Sequence, residues 1–209
     1  MPTTTPARAE RAALLDLLRS SGPAAGTLCE GWTTHDLAAH LIVRDRQPLA
    51  LPGLVVPPLH AVTAAFEQRA RTRPYEELVA ALQAGPPLVS IARLGDRAEL
   101  HEWYVHHEDV RRAVAPGPRE TGPALEDALW GRLAVMGPAL TARAKGLGIT
   151  LSTPDGRSRR LRSGPAQVVL HGAPSELALW LFGRRAVADV EVQGAPEAVE
   201  RAGAARLGW

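Results

Sequence analysis

Leu28-Cys29-Glu30-Gly31-Trp32-Thr33-Thr34-His35-Asp36-Leu37-Ala38-Ala39-His40-Leu41 is the stretch that decides the fold. Gly31 marks a turn, and Thr33 and Asp36 stand three apart in a capping-box pattern, each side chain able to accept the other's backbone N–H. A helix is therefore expected to start near Thr34 and run toward Gln47. Leu37, His40, Leu41 and Arg44 share one face of it at spacings of three and four, so His40 should point inward among leucines. Trp32 reads as an apolar plug that fixes the start of this helix, with an indole N–H in need of a partner.

Outward from this stretch the chain is helical in both directions. Arg8 to Arg19 carries an amphipathic pattern with Ala12, Leu15 and Leu18 or Leu14 and Leu18 on one face, and Ser21-Gly22-Pro23 stops it. Beyond Gln47 the proline-rich segment Pro48–Pro58 reads as a connection. Helices are then predicted from about Leu59 to Arg73, after Pro74 as far as Gly85-Pro86-Pro87, from Asp96 to Val114, and from Ala124 to Lys145. That many helices make a bundle the natural architecture. After Gly146 the period changes. Ile149–Ser152 and Arg159–Arg162 flank Pro154-Asp155-Gly156 as a hairpin, Gln167–Leu170 and Val187–Val192 are strand candidates, Ser175 can cap a helix reaching Phe182, and Ala195–Ala205 closes as a helix. The expected organisation is α+β: an antiparallel four-helix bundle over residues 1–147, then a small α/β unit over 148–209.

Composition removes several classes of function. The net charge is +2 despite a pI of 9.2, and the basic residues are scattered among acidic ones, so no nucleic-acid partner is expected. The one basic cluster, Arg157, Arg159, Arg160 and Arg162, lacks interleaved aromatics and reads as a solvated hairpin face. Neither a signal-peptide core in Met1–Arg11 nor a stretch approaching the roughly 20 apolar residues of a membrane span is present. A single cysteine, Cys29, cannot form an internal disulfide, which fits a reducing, cytoplasmic setting. It has no acid–His–Cys order around it and reads as a small buried apolar residue. The glycines match neither dinucleotide nor Walker patterns.

The densest set of chemically capable side chains is His101-Glu102-Trp103-Tyr104-Val105-His106-His107-Glu108-Asp109, within one predicted helix. Glu102 and His106 are four apart and can bind one ion together, while His101 and His107 lie off that face. Further donors must come from elsewhere, and His40 is the best remaining one. An imidazole with a carboxylate suits Zn²⁺, Ni²⁺ or Fe²⁺ better than Ca²⁺. Spacing alone leaves another reading open, in which His40 is a hydrogen-bonded core histidine and Glu102–His106 an ordinary i,i+4 contact. His35, His60, His101 and His107, besides the remote His171, are further donors that could replace a predicted one.

The stretch Leu28–Leu41, with its Gly-Trp-Thr turn, and the later run Glu102-Trp103-Tyr104-Val105-His106-His107-Glu108-Asp109-Val110-Arg111-Arg112 together resemble the DinB-like superfamily, and within it the actinobacterial relatives of mycothiol-dependent maleylpyruvate isomerase. The resemblance implies a metal-binding bundle with His40, Glu102 and His106 as ligands, Zn²⁺ as the expected metal, and mycothiol or a similar thiol as cosubstrate. Residues around Gly172–Gly194 also look like the small C-terminal unit of such proteins.

Three protein ligands leave a coordination position open, as in reactive metal sites. A coordinated thiol would serve transfer or isomerisation, and a coordinated water would serve hydrolysis. A non-catalytic small-molecule-binding protein with a structural metal is the remaining reading. Arg44, Arg111 or Arg112 could clamp a substrate carboxylate, Asp109 could buttress a liganding histidine or pair with Arg112, and His107 could act as acid or base. The apolar bundle faces allow a homodimer without requiring one.

Overall fold

The computed structural model describes residues 4–47, 58, 60–86 and 99–208. Except for Pro58, the proline-rich connection Pro48–Pro58 lies outside them, as do residues 96–98 of the expected fifth helix. The chain forms two compact units, Met1–Ala115 and Pro116–Trp209. No helix among the described residues is long and apolar enough to cross a membrane.

The first unit is a helical bundle of α1 (Pro6–Ser21), α2 (Thr34–Arg46), α3 (His60–Arg71), α4 (Tyr75–Gln83) and α5 (Leu100–Val114). Thr5 caps α1, and Gly22, at φ 72°, ends it by returning its N–H to Leu18. Thr33 and Asp36 close both halves of the capping box on α2. Gly31 supports this start, because its φ of 74° lies in the left-handed region that costs a side-chain-bearing residue energy. Leu14, Leu18, Leu37, Leu41, Leu78 and Leu82 form the centre of the core with Trp103 and Val110. Truncating any one of these leucines to alanine would cost about 2–5 kcal/mol.

Helix α5 is the axis of this unit. Most of its residues are buried, including His101, Glu102, His106, His107, Glu108, Asp109 and Arg112. Buried polar groups are tolerated when paired, and these are. His107 Nδ1 is 2.9 Å from Glu10 Oε2 on α1, and Glu108 accepts from both Arg111 and Arg112.

The second unit consists of α6 (Pro123–Leu140), β1 (Leu147–Ser152), β2 (Ser158–Arg162), β3 (Ala166–His171), α7 (Pro174–Leu181), β4 (Glu191–Gly194) and α8 (Pro196–Ala204). The sheet order is β2-β1-β3-β4, with β1 antiparallel to β2 and parallel to β3. Ile149 and Leu151 face Val168 and Leu170 in register, all four buried. The short segment Ser163-Gly164-Pro165 must carry the chain from β2 across the start of β1 to reach β3. Gly164 is required there, since a Cβ would lie 2.4 Å from the Leu147 carbonyl.

Several boundaries differ from the sequence reading. The compact units divide at 115/116 instead of 147/148, because α6 packs on α7 and β2. Helix α6 ends at Leu140, two residues after Pro138, and not at Lys145. Ala173, not Ser175, precedes α7, with Pro174 in its first turn. The Ser175 amide is instead donated to Glu126. The strand expected at Val187–Val192 begins only at Glu191, since the Val187 and Ala188 amides turn back to Arg184 and that of Asp189 goes to Glu176.

Candidate metal centre

Helix α2 carries His40, α5 carries Glu102 and His106, and the first unit brings the three together. One donor atom from each lies within 4.8 Å of the others. The His40 and His106 rings meet edge-on with centroids 5.3 Å apart, and His106 Nε2 is 3.5 Å from Glu102 Oε2. Leu37 and Leu41, on the same helix as His40, enter the apolar core. His40 itself faces Trp32, Glu67 and His106 rather than the leucines expected around it. Trp32 packs partly against the core, its ring 5.3 Å from that of His40 and 5.6 Å from the Arg71 guanidinium that lies over it.

Each of the three has a further partner. Glu67 Oε1, from α3, is 2.7 Å from His40 Nδ1. Asp109 Oδ2 is 2.9 Å from His106 Nδ1 and also accepts from Cys29 Sγ at 3.2 Å. Arg44 donates to Glu102 Oε1 at 3.1 Å and lies 3.9 Å from Glu99, while His101 Nε2 approaches Glu102 Oε1 at 3.3 Å. With both Nδ1 atoms engaged, Nε2 is the nitrogen each imidazole has left to offer.

The electrostatics follow from these contacts. Burial would raise the Glu102 carboxyl, but Arg44 and the hydrogen bonds from His101 and His106 outweigh it and hold the group well below its ordinary value. Burial would lower His106, yet Asp109, Cys29 and Glu102 raise it well above the usual histidine range. In His40 burial prevails over the Glu67 hydrogen bond, and its pKa falls. Glu99 is raised by burial and by Glu102, against the pull of Arg44.

The donor set fits a divalent transition metal: two imidazoles and a carboxylate, each held by a neighbour. Charge fits as well. Glu67, Glu102 and Asp109 stand against Arg44, an excess of two carboxylates that a dication would balance once it displaced the proton from His106. Cys29, His106 and Asp109 form a second group of donors within 4.8 Å, but hydrogen bonds already join them through Asp109.

Other sequence candidates lie elsewhere. His107 is bound to Glu10 between α5 and α1. Arg111 is paired to Glu108 and to the Ala115 carbonyl, about 13.5 Å along the helix from Glu102. Arg112 pairs with Glu108, not with Asp109. His35 contacts the Arg73 carbonyl, and His171 lies in the second unit beside Ser152. Cys29 is polar in its role rather than apolar filler. Glu67 was not foreseen at all. Its position on α3, four residues after Thr63 and three before Ala70, both buried, is the signal that it faces inward.

The fold and this convergence define a helical-bundle protein with a candidate divalent-metal centre in its first unit and a small α/β unit behind it in sequence. The family model for the mycothiol maleylpyruvate isomerase N-terminal domain matches residues 4–93, a span that holds His40 and Glu67 and stops before α5. A crystal structure of a mycothiol-dependent maleylpyruvate isomerase is similar at 17% identity and TM-score 0.61 over 92% of each chain. A histidine-to-alanine mutant structure of such an isomerase is similar at 18% identity and TM-score 0.54, again over 92% of each chain. No protein of curated function matches by sequence. The chain thus matches the model of that N-terminal domain over residues 4–93 and shares the fold of a mycothiol-dependent maleylpyruvate isomerase over most of its length.

Proposed function

We propose that this chain is a metal-dependent enzyme that holds one divalent cation, Zn²⁺ by preference, on His40, Glu102 and His106 and activates a low-molecular-weight thiol such as mycothiol for isomerisation or transfer on a small substrate. One observation carries the reading: two imidazoles, each engaged at Nδ1 by a carboxylate, converge with a third carboxylate within 4.8 Å. A bound cation of this kind supplies Lewis acidity that lowers the pKa of a coordinated thiol near neutral pH.

The remaining work falls to the side chains. Glu102 offers Oε2 while Arg44 occupies Oε1, so the carboxylate is oriented as a one-oxygen donor. Arg44 also brings positive charge to the rim, where a substrate carboxylate could compete with Glu99 for the guanidinium. Trp32 covers one side of His40 and limits water there. The thiol and the activity are those of the similar mycothiol-dependent isomerases, and the donor set suits them.

The test is elemental analysis of untagged wild type and His106→Ala, followed by assay with maleylpyruvate in the presence and absence of mycothiol. About one equivalent of transition metal in the wild type, its loss in the variant, and turnover only with thiol are the expected results. Turnover that needs metal but no thiol would replace the reading by hydrolysis. Absence of metal from both proteins after reconstitution would overturn it.

A further inference from the structure

The two liganding histidines come from different helices, and each can present either nitrogen. What decides the nitrogen is the partner of the other one. For His106 that partner, Asp109, is on the same helix, fully buried, and fastened in turn by Cys29. The Leu28 amide donates to the Asp109 backbone carbonyl at 3.0 Å, tying the approach to the Gly31 turn to the same residue. For His40 the partner is Glu67, which arrives from a third helix, 27 residues further along the chain.

We infer that Glu67 is a positioning residue of the metal centre: its carboxylate accepts the His40 Nδ1–H at 2.7 Å and so leaves Nε2 as the nitrogen presented to the ion, the same service that Asp109 performs for His106. This rests on the metal-dependent reading above. The geometry excludes the two simplest alternatives for Glu67. It is not a surface acid, since only 14% of its side chain is exposed. Nor is it a fourth member of the converging group, which is made of His40, Glu102 and His106. It stands behind His40, where its negative charge also strengthens the imidazole as a donor.

The proposal separates α3 from the other helices of the unit in function. Helix α3 supplies no ligand, yet it sets the orientation of one. Removal of the carboxylate should free the His40 ring to rotate and to exchange its tautomer, which weakens binding without removing any donor atom. An amide at the same place still accepts the Nδ1–H through its oxygen.

Cobalt(II) is the probe. Wild type, Glu67→Ala, Glu67→Gln and Glu77→Ala are titrated with Co²⁺ against a chelator, and the visible ligand-field spectrum of each complex is recorded. Glu77 is an exposed acid on α4 and controls for loss of charge alone. Glu67→Ala should bind about 10–100-fold more weakly with an altered spectrum, Glu67→Gln should recover the wild-type spectrum and most of the affinity, and Glu77→Ala should match wild type. Wild-type affinity and spectrum in Glu67→Ala would overturn the positioning role and leave the metal reading intact. Equal losses in the alanine and glutamine variants would overturn it too, in favour of bare charge. Failure of the wild type to bind Co²⁺ would overturn both readings.

Discussion

Helix α5 and strand β2 are both dense in charged residues, and they use that charge in opposite ways. In α5 the ionisable side chains other than Arg111 are buried, and specific pairs hold them: Glu102 with Arg44, His106 with Asp109, His107 with Glu10, Glu108 with Arg111 and Arg112. In β2 and its turn, Arg159 and Arg160 are exposed, and Arg157 lies against Asp155, Asp127 and the Trp130 ring. A buried pair is costly to break, because the remaining partner stays out of water, whereas an exposed pair can be replaced by hydration. Charge density along a sequence therefore carries little meaning until burial is known.

This contrast can be broken most directly at Glu108. Glu108→Ala strips the carboxylate from Arg112, whose side chain is fully buried, and should destabilise the first unit by about 3–5 kcal/mol in urea denaturation. A loss under 1 kcal/mol would show that the buried Arg112 does not depend on Glu108. Glu10→Ala should cost less, about 1–3 kcal/mol, by removing one hydrogen-bond acceptor from a buried histidine. Arg159→Ser on the exposed strand should stay within about 0.5 kcal/mol of wild type in the same assay. A cost as large as that of Glu10→Ala would erase the distinction.

The smallest expected effect is a shift in acid titration. Hydrogen bonds from Arg157 and Thr153 lower Asp155 to about 2, from an ordinary value of 3.8. A depressed folded pKa contributes stability above the unfolded value, and that contribution disappears as pH falls from about 4 through about 2. In Arg157→Ala the Asp155 carboxyl should titrate closer to its ordinary value, as followed by NMR of the side-chain carbon. An unchanged titration would mean that the exposed ion pair does not form in solution.

The parts of this arrangement that the sequence made legible are those decided within a few residues. The capping box of Thr33 and Asp36 and the stop at Gly22 are local, and the helices they bound appear where expected. The i,i+4 spacing of Glu102 and His106 put them on one side of α5 and left His40 as the best further donor, while the family resemblance was needed to favour a shared ion over a core histidine. Glu67 was out of reach because Ala64, Ala65 and Gln68 beside it are exposed, and although it shares a side of the helix with buried Thr63 and Ala70, nothing local points to a histidine 27 residues earlier. The same distance problem hid the pairing of Glu10 with His107, 97 residues apart. Helix α6 was visible as a helix, but periodicity does not say what a helix packs on, so the boundary between units was placed after it rather than before.

The crossing at Gly164 bears on how the protein can be handled in the laboratory. Pro154-Asp155-Gly156 and Ser163-Gly164-Pro165 both look like surface turns open to a reporter peptide. Pro154, Asp155 and Gly156 are exposed at the tip of a hairpin, and an insertion there extends into water. The second turn lies across the Leu147 backbone with no room even for a methyl group. Residues added there must lift the chain off β1, which puts the parallel register of β1 and β3 at risk, so tags and fusion partners belong in the hairpin tip.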